Sequence, residues 1–193
     1  MMKKIVSVLL VLATLFCAVS CSQTANDAPQ GYKLASNDAL CDYVLYVPEV
    51  YVSESNDSNY TIATISNADK CTVSVAKLEN VYAETVDAYW TQCKSDYAFL
   101  SNFNVIPQGT DDAGNPVEWA KASVGTGETL KEGYRYVFTG SYNGTAYKYQ
   151  QIFLVHGNAF SSSLYCITFT TLEEHYDAHL EAFNQILGYF YFK

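Results

Sequence analysis

Positive charge is scarce in this chain of 193 residues. Lys and Arg together number eleven against twenty Asp and Glu, which gives a net charge of −9, and Arg135 is the only arginine. Binding to nucleic acid needs clustered cations and the bidentate forks of arginine side chains. The composition therefore excludes nucleic acid as an expected partner.

Motifs of the common enzyme classes are missing as well. The sequence contains no serine nucleophile elbow, no phosphate-binding glycine loop and no HExxH zinc motif. The paired carboxylates Glu173 and Glu174 open a predicted helix, where they favour its dipole rather than acid–base chemistry. We therefore expect a protein that is not an enzyme and that carries no cofactor.

Hydrophobic residues, in contrast, are abundant. They make up 49% of the chain, whereas charged residues make up 16%. Such a chain can bury a sizeable core, and its length favours a single domain.

The amino-terminal segment has the layout of a secretion signal. Lys3 and Lys4 precede an apolar run from Ile5 to Val19 that is too short to span a bilayer. The run ends in Ala18-Val19-Ser20-Cys21, which resembles the lipobox of bacterial lipoproteins, where the cysteine thiol receives diacylglycerol. The alternative is an ordinary signal peptide cut elsewhere.

Three regions follow from this interpretation. Residues 1–20 are predicted to be a lipoprotein signal peptide, residues 21–31 a lipidated Cys21 with a flexible tether, and residues 32–193 the globular domain. Anionic lipid repels an acidic body, so the acyl chains must hold the protein. We expect a lipid-anchored protein on the extracytoplasmic face of the cell membrane.

The pattern of the domain predicts an α+β fold with an antiparallel sheet. Strands are predicted as a meander over Tyr43–Val47, Tyr51–Ser53, Tyr60–Ile65 and Cys71–Leu78. A first helix begins after Thr85, carries an apolar stripe as far as Leu100 and ends before Pro107. A second helix begins with a capping box of Thr171 and Glu174 and is stopped by Gly188. Phe190 and Phe192 suggest a last short strand.

Asn143 and Gly144 predict a two-residue hairpin turn between strands Tyr134–Tyr142 and Thr145–Val155. A loop from His156 to Ser163 then leads to a strand at Leu164–Thr170. In the hairpin register one face carries six aromatic rings: Tyr134, Tyr136, Phe138, Tyr147, Tyr149 and Phe153. Most simply this face is core under a helix. The alternative is a platform on which Tyr134, Tyr136, Tyr147 and Tyr149 bind a glycan or another small molecule.

Four segments resemble PsbP-like domains, and specifically PsbP-related lipoproteins of Gram-positive bacteria. They are YVLYVPEVY at Tyr43–Tyr51, TVDAYW at Thr85–Trp90, KEGYRYVFTG at Lys131–Gly140 and the closing segment Ile167–Lys193. The resemblance implies an α-β-α sandwich, a central antiparallel sheet with helices on its faces. These motifs are structural and imply no catalytic residues.

Two side-chain sets remain as weaker candidates for chemistry. His175 and His179 lie four residues apart on the second helix, a spacing compatible with zinc or nickel, although no third ligand is identifiable. Cys41, Cys71, Cys93 and Cys166 allow two disulfides in any of three connectivities, and buried thiols explain them equally well. The expected function is therefore a non-catalytic binding or accessory module with a protein partner at the cell surface. A ligand-capture protein and a metal-dependent enzyme using the His pair are the alternatives.

Overall fold

The computed structural model of the protein describes residues 27–65, 68–78, 85–158 and 161–193. The predicted signal peptide and Cys21 lie outside these residues. The first strand begins at Tyr32, where the globular domain is predicted to start. No helix in the described ranges is long and apolar enough to cross a membrane.

Within these ranges the chain forms fourteen strands and two α-helices. In chain order they are β1 (Tyr32–Leu34), β2 (Tyr43–Val44), β3 (Tyr46–Pro48), β4 (Val52–Asn56), β5 (Tyr60–Thr64), β6 (Thr72–Leu78), α1 (Val86–Cys93), β7 (Ser101–Ile106), β8 (Gly109–Thr110), β9 (Pro116–Val117), β10 (Trp119–Val124), β11 (Lys131–Tyr142), β12 (Thr145–Asn158), β13 (Ser161–Leu172), α2 (Tyr176–Tyr189) and β14 (Tyr191–Phe192).

The main sheet is antiparallel, in the order β10-β11-β12-β13-β6-β5-β4, and β7 also pairs with β11. Side chains alternate between its two faces because successive residues of a strand point in opposite directions. One face packs on α2 and the other on α1. The predicted α+β class, with an antiparallel sheet between helices, is confirmed.

The two faces bury separate hydrophobic cores. The α2-side core joins residues of the helix to inward residues of β12, β13 and β6: Phe183, Ile186, Leu187, Ile152, Ile167, Phe169, Val73 and Val75. The α1-side core is mainly aromatic and contains Trp90, Tyr136, Phe138 and Phe153. Three of the six rings of the hairpin face, Tyr136, Phe138 and Phe153, are thus core, as the simplest interpretation of that face predicted.

The hairpin turn has the predicted register. Asn143 and Gly144 have φ values of 50° and 79°, and Tyr142 pairs with Thr145 across the two-residue loop. Positive φ at both loop residues is what a type I′ turn requires, and Asn-Gly adopts it at low cost. The loop predicted from His156 to Ser163 is wrong, because the β12–β13 ladder continues through His156↔Ser163 to Asn158↔Ser161.

The first predicted meander is only partly correct. Strands β4, β5 and β6 are consecutive neighbours in the main sheet. In contrast, β2 pairs with β14, and β3 pairs with β1, outside that sheet. Tyr43, Leu45 and Val47 are fully buried there, so burial rather than a place in the main ladder explains their apolar pattern.

Two strands of the sheet were not predicted. The first helix ends at Cys93, a 3₁₀ segment covers Lys94–Phe99, and β7 follows immediately. Strand β10 follows a stretch rich in turn residues, from Gly109 to Pro116, and no strand was predicted there. Both pair with the same edge of β11, β10 along Lys131–Tyr136 and β7 along Val137–Ser141. The backbone N–H and C=O groups along this long edge of β11 need hydrogen-bond partners, and β7 and β10 supply them. The sequences of these two short strands predict them poorly, because the strands form only by pairing with β11.

The predicted ends of the second helix are also wrong. Helix α2 begins at Tyr176, after a 3₁₀ turn at Glu173–His175, and it has no side-chain cap. Thr171 is fully buried at the end of β13, and its hydroxyl donates to the carbonyl oxygen of Asp69 at 2.9 Å. At the other end the helix continues through Gly188 to Tyr189.

Candidate ligand-binding groove

Helix α1 covers only part of its side of the sheet. Its cap is the predicted one, because the Thr85 hydroxyl accepts from the Ala88 backbone N–H at 3.1 Å. From there Trp90 stacks on Tyr136 of β11, with ring centroids 4.4 Å apart and planes inclined by 25°. Helix α1 thus packs on the aromatic rings of β11 and β12. The sheet continues beyond the helix through β13, β6 and β5.

The uncovered part of this face carries mostly small side chains in register. Ser74 of β6 pairs with Ile62 on one side and with Thr168 on the other, and Thr168 pairs in turn with Gln151 of β12. In the next row Ala76 lies between Tyr60 and Cys166. Because small side chains stand next to large rings, the surface sinks into a depression.

This depression, the α1-side groove, has a volume of about 340 Å³. Its lining comes from β5, β6, α1, the 3₁₀ segment, β12 and β13: Tyr60, Ser74, Ala76, Leu78, Tyr89, Cys93, Asp96, Tyr97, Phe99, Gln151, Phe153, Cys166 and Thr168. A volume of this size lies within the range of small-molecule sites.

Aromatic rings form the walls of the groove. On the α1 side Tyr97 is held by Phe138, with centroids 4.8 Å apart, and by a stacked Phe103 at 5.6 Å. Phe99 is 64% exposed and Tyr60 is 37% exposed. Packing therefore fixes the ring of Tyr97, whereas the rings of Phe99 and Tyr60 remain exposed and can contact a ligand.

A polar chain crosses the floor of the groove. The Tyr97 hydroxyl donates to Gln151 Oε1 at 2.8 Å, and Gln151 Nε2 donates to Thr168 Oγ1 at 3.3 Å. Gln151 is only 8% exposed. Burial raises the pKa of Tyr97, so its hydroxyl remains a hydrogen-bond donor at neutral pH. The groove therefore offers oriented polar atoms below aromatic walls.

The two cysteines that line the groove are free thiols. Burial raises the pKa of Cys93 to about 11, with a further contribution from nearby Asp96. Burial raises the pKa of Cys166 to about 12. Because the thiolate is the nucleophilic form, both groups are poor nucleophiles at neutral pH. Cys41 and Cys71 are buried free thiols outside the groove lining.

The four tyrosines predicted from the hairpin differ in their access to a ligand. Tyr136 is fully buried under Trp90, whereas Tyr134 lies edge-on to Trp119 and is 36% exposed. Tyr147 and Tyr149 are half-buried. Tyr147 lines a second depression of about 330 Å³ on the same face, together with Thr64, Ile65, Lys70, Thr72 and Thr170. We call this depression the Lys70 cavity, and ligand binding at these tyrosines stays a prediction.

The two candidate metal-binding histidines meet a carboxylate far away in sequence. His179 Nε2 lies 2.8 Å from Asp69 Oδ2, and His175 Nε2 lies 3.6 Å from Asp69 Oδ1. Glu174 is 3.6 Å from the same His175 nitrogen. In the part of the chain that the structure describes, no group of three or more His, Cys, Asp or Glu side chains is arranged to hold a metal ion. The visible role of the pair is to join α2, through His179, and the 3₁₀ turn before it, through His175, to Asp69, which precedes β6.

Together these features define a class: an α+β domain whose antiparallel sheet lies between two helices and carries an open, aromatic-walled groove on one face. No protein-family model and no curated protein matches the chain. Solved structures do. LpqN of Mycobacterium tuberculosis, described as involved in cell envelope biogenesis, is 14% identical with a TM-score of 0.46, covering 85% of this chain and 79% of its own.

Two further solved structures are similar to this chain. The PsbP protein CyanoP of Synechocystis has a TM-score of 0.44 at 10% identity, covering 89% of this chain and 98% of its own. The Ran-binding protein Mog1p of Saccharomyces cerevisiae has a TM-score of 0.46 at 9% identity, covering 76% and 85%. The likeness to all three structures is a partial one.

Proposed function

We propose that this protein is a lipid-anchored, extracytoplasmic binding or accessory protein of the PsbP-related lipoprotein type found in Gram-positive bacteria, that it is not an enzyme, and that it holds its ligand in the α1-side groove. The groove is the observation that carries the proposal. It combines a concave surface, fixed aromatic walls and a few oriented polar atoms, the usual composition of a small-molecule site.

The chemistry of the lining favours binding over catalysis. Its thiols are held in the protonated form, and the amide of Gln151 cannot transfer a proton near neutral pH. Among the described residues of the lining, Asp96 is the one carboxylate, and it is exposed. His175 and His179 are not among the lining residues and contact Asp69 instead.

Anchoring at Cys21 would place the groove close to the membrane surface. The tether of residues 21–31 reaches at most roughly 35–40 Å when fully extended. Such a short link holds the domain at a high effective concentration near partners in the same membrane. A protein partner at the cell surface is therefore part of the proposal.

The anchor is tested by metabolic labelling with a radioactive fatty acid. We expect the wild-type chain to incorporate the label and Cys21→Ser to incorporate none, because serine has no thiol for the thioether to diacylglycerol. Cys17→Ser is the matched control and should keep the label. Equal labelling of the wild type and Cys21→Ser would contradict lipidation at this position.

Binding in the groove is tested by a photoreactive phenylalanine derivative, incorporated in living cells. Placed at Phe99, an exposed ring of the groove, it should give a specific crosslinked product on irradiation. Placed at Val50, which is 71% exposed and not part of the groove lining, it should give none. Products of equal yield at both positions, or none at Phe99, would count against the groove as the binding site.

A further inference from the structure

The α1-side groove and the Lys70 cavity lie on the same face of the sheet, in consecutive rows. Thr64, Thr72 and Thr170 are paired across β5, β6 and β13, and Thr170 pairs in turn with Tyr149. The next row along β6 is that of Ser74 and Thr168 in the groove. Neighbouring strands are about 4.8 Å apart, so the two rows bring their hydroxyl groups close together along the floor of both depressions, and we call this set the hydroxyl field.

Four hydroxyls of this field have spare hydrogen-bonding capacity. The side chains of Thr64, Thr72, Ser74 and Thr170 make no hydrogen bond to any other residue in the described ranges. Each hydroxyl offers one donor and two acceptor lone pairs. An acyl chain or another apolar ligand would displace the water around all four hydroxyls. It could not replace the hydrogen bonds that they make with that water, so its binding is unfavourable.

The buried amide of Gln151 adds an independent polar group beneath the field. Its nitrogen has two N–H donors, and within the described residues it uses one of them, to Thr168. Its oxygen accepts from Tyr97 and keeps one lone pair. At 8% exposure this amide is too deep to be fully solvated, so a ligand hydroxyl at the groove floor would complete its hydrogen bonding.

Aromatic rings border the hydroxyl field. Tyr149 is stacked on Phe138 at 4.8 Å with planes inclined by 13°, which leaves it half-buried, and Tyr147 follows it at 6.1 Å. Tyr60 is partly exposed in the groove lining. An aromatic face can pack against the apolar C–H face of a sugar ring while the hydroxyls around that ring bind polar atoms.

Charge selects among hydroxylated ligands. Among the described lining residues, Asp96 is the one charged side chain of the groove and Lys70 the one charged side chain of the cavity. A single charge of either sign gives no cluster that could collect a polyanion, and the net charge of −9 repels one. The field is therefore complementary to an uncharged ligand.

We propose that the α1-side groove and the Lys70 cavity together bind a neutral oligosaccharide, whose ring faces pack on the bordering tyrosines and whose hydroxyls bond to Gln151 and to the hydroxyls of β5, β6 and β13. This assignment rests on the proposed function and adds the ligand class.

The test is calorimetric titration of the full chain, purified in a non-glycosidic detergent, with maltotetraose, cellotetraose and chitotetraose. Tetragalacturonate and tetra-alanine, of similar length, are the charged and peptide comparators. We expect at least one neutral tetrasaccharide to bind. The double variant Thr72→Val with Ser74→Ala should lower the affinity for that sugar about tenfold, because it removes two hydroxyls. Thr110→Val with Ser123→Ala, an equivalent change at exposed positions outside both depressions, should leave the affinity unchanged.

Tyr60→Ala is a second variant that tests stacking rather than hydrogen bonding, and it should lower the affinity for the same sugar. Absence of binding by all three neutral sugars, tighter binding of tetragalacturonate or tetra-alanine, or undiminished binding to the Thr72/Ser74 variant would overturn the proposal. A crosslink at Phe99 with no sugar binding would refute the ligand class alone and leave the proposed function standing.

Discussion

Replacing Trp90 by alanine should lower the free energy of unfolding by about 3–5 kcal/mol, the usual cost of truncating a large buried ring. Trp90 is 1% exposed and contacts the rings of Tyr136, Phe138, Phe153 and Tyr97. These rings also pack against one another, so they can fill the vacated space only in part. Chemical denaturation monitored by circular dichroism measures the loss.

Trp90→Phe separates packing from hydrogen bonding at the same position. The indole Nε1 donates to Glu118 Oε2 at 2.7 Å, and Lys94 binds the same carboxylate at 2.8 Å. Burial raises the pKa of Glu118, but the bonds from Lys94 and Trp90 outweigh it and the net shift is downward. Phenylalanine keeps a ring on Tyr136 and leaves Glu118 its lysine, so we expect a smaller loss than for alanine. A cost below 1 kcal/mol for Trp90→Ala would show that α1 is not packed as described.

Phe183→Ala should cost about as much, about 3–5 kcal/mol, from the opposite side of the sheet. Phe183 is fully buried in α2 and stacks on Phe169 of β13, with centroids 4.7 Å apart and planes inclined by 12°. The matched control is Phe99→Ala, which removes the same side chain from an exposed position and should change stability by no more than about 0.5 kcal/mol. Equal losses for the two variants would contradict the assignment of Phe183 to the core.

The parts of the fold that the sequence predicts well depend on neighbouring residues. The Asn143-Gly144 turn determines the hairpin register because both residues tolerate positive φ. The Thr85 cap is equally local. Strands β7 and β10 were missed because they form only against the edge of β11, and the Thr171 capping box failed because its hydroxyl bonds to Asp69, 102 positions away.

The groove could not be predicted from the sequence, for a different reason. It exists where β6 and β13 present small side chains side by side, and the pairing of these two strands joins residues about ninety positions apart. Alternation identified the aromatic face of the hairpin, yet it could not show that Trp90 covers Tyr136 and leaves Tyr147 near the open part. A signal was present in the alternation of Thr72, Ser74 and Ala76, the small outward residues of a strand whose inward residues are valines.

Hydroxyl-radical footprinting of the full chain, on intact cells and after purification, tests binding in the α1-side groove most directly. Tyr60, Tyr97 and Phe99 line the groove, whereas Tyr189 is 41% exposed on α2, across the sheet. If the groove is occupied at the cell surface, the three lining rings should be oxidised less on cells than in the purified protein, while oxidation of Tyr189 stays the same. Equal oxidation of the lining rings in both samples, or equal protection of Tyr189, would contradict the account.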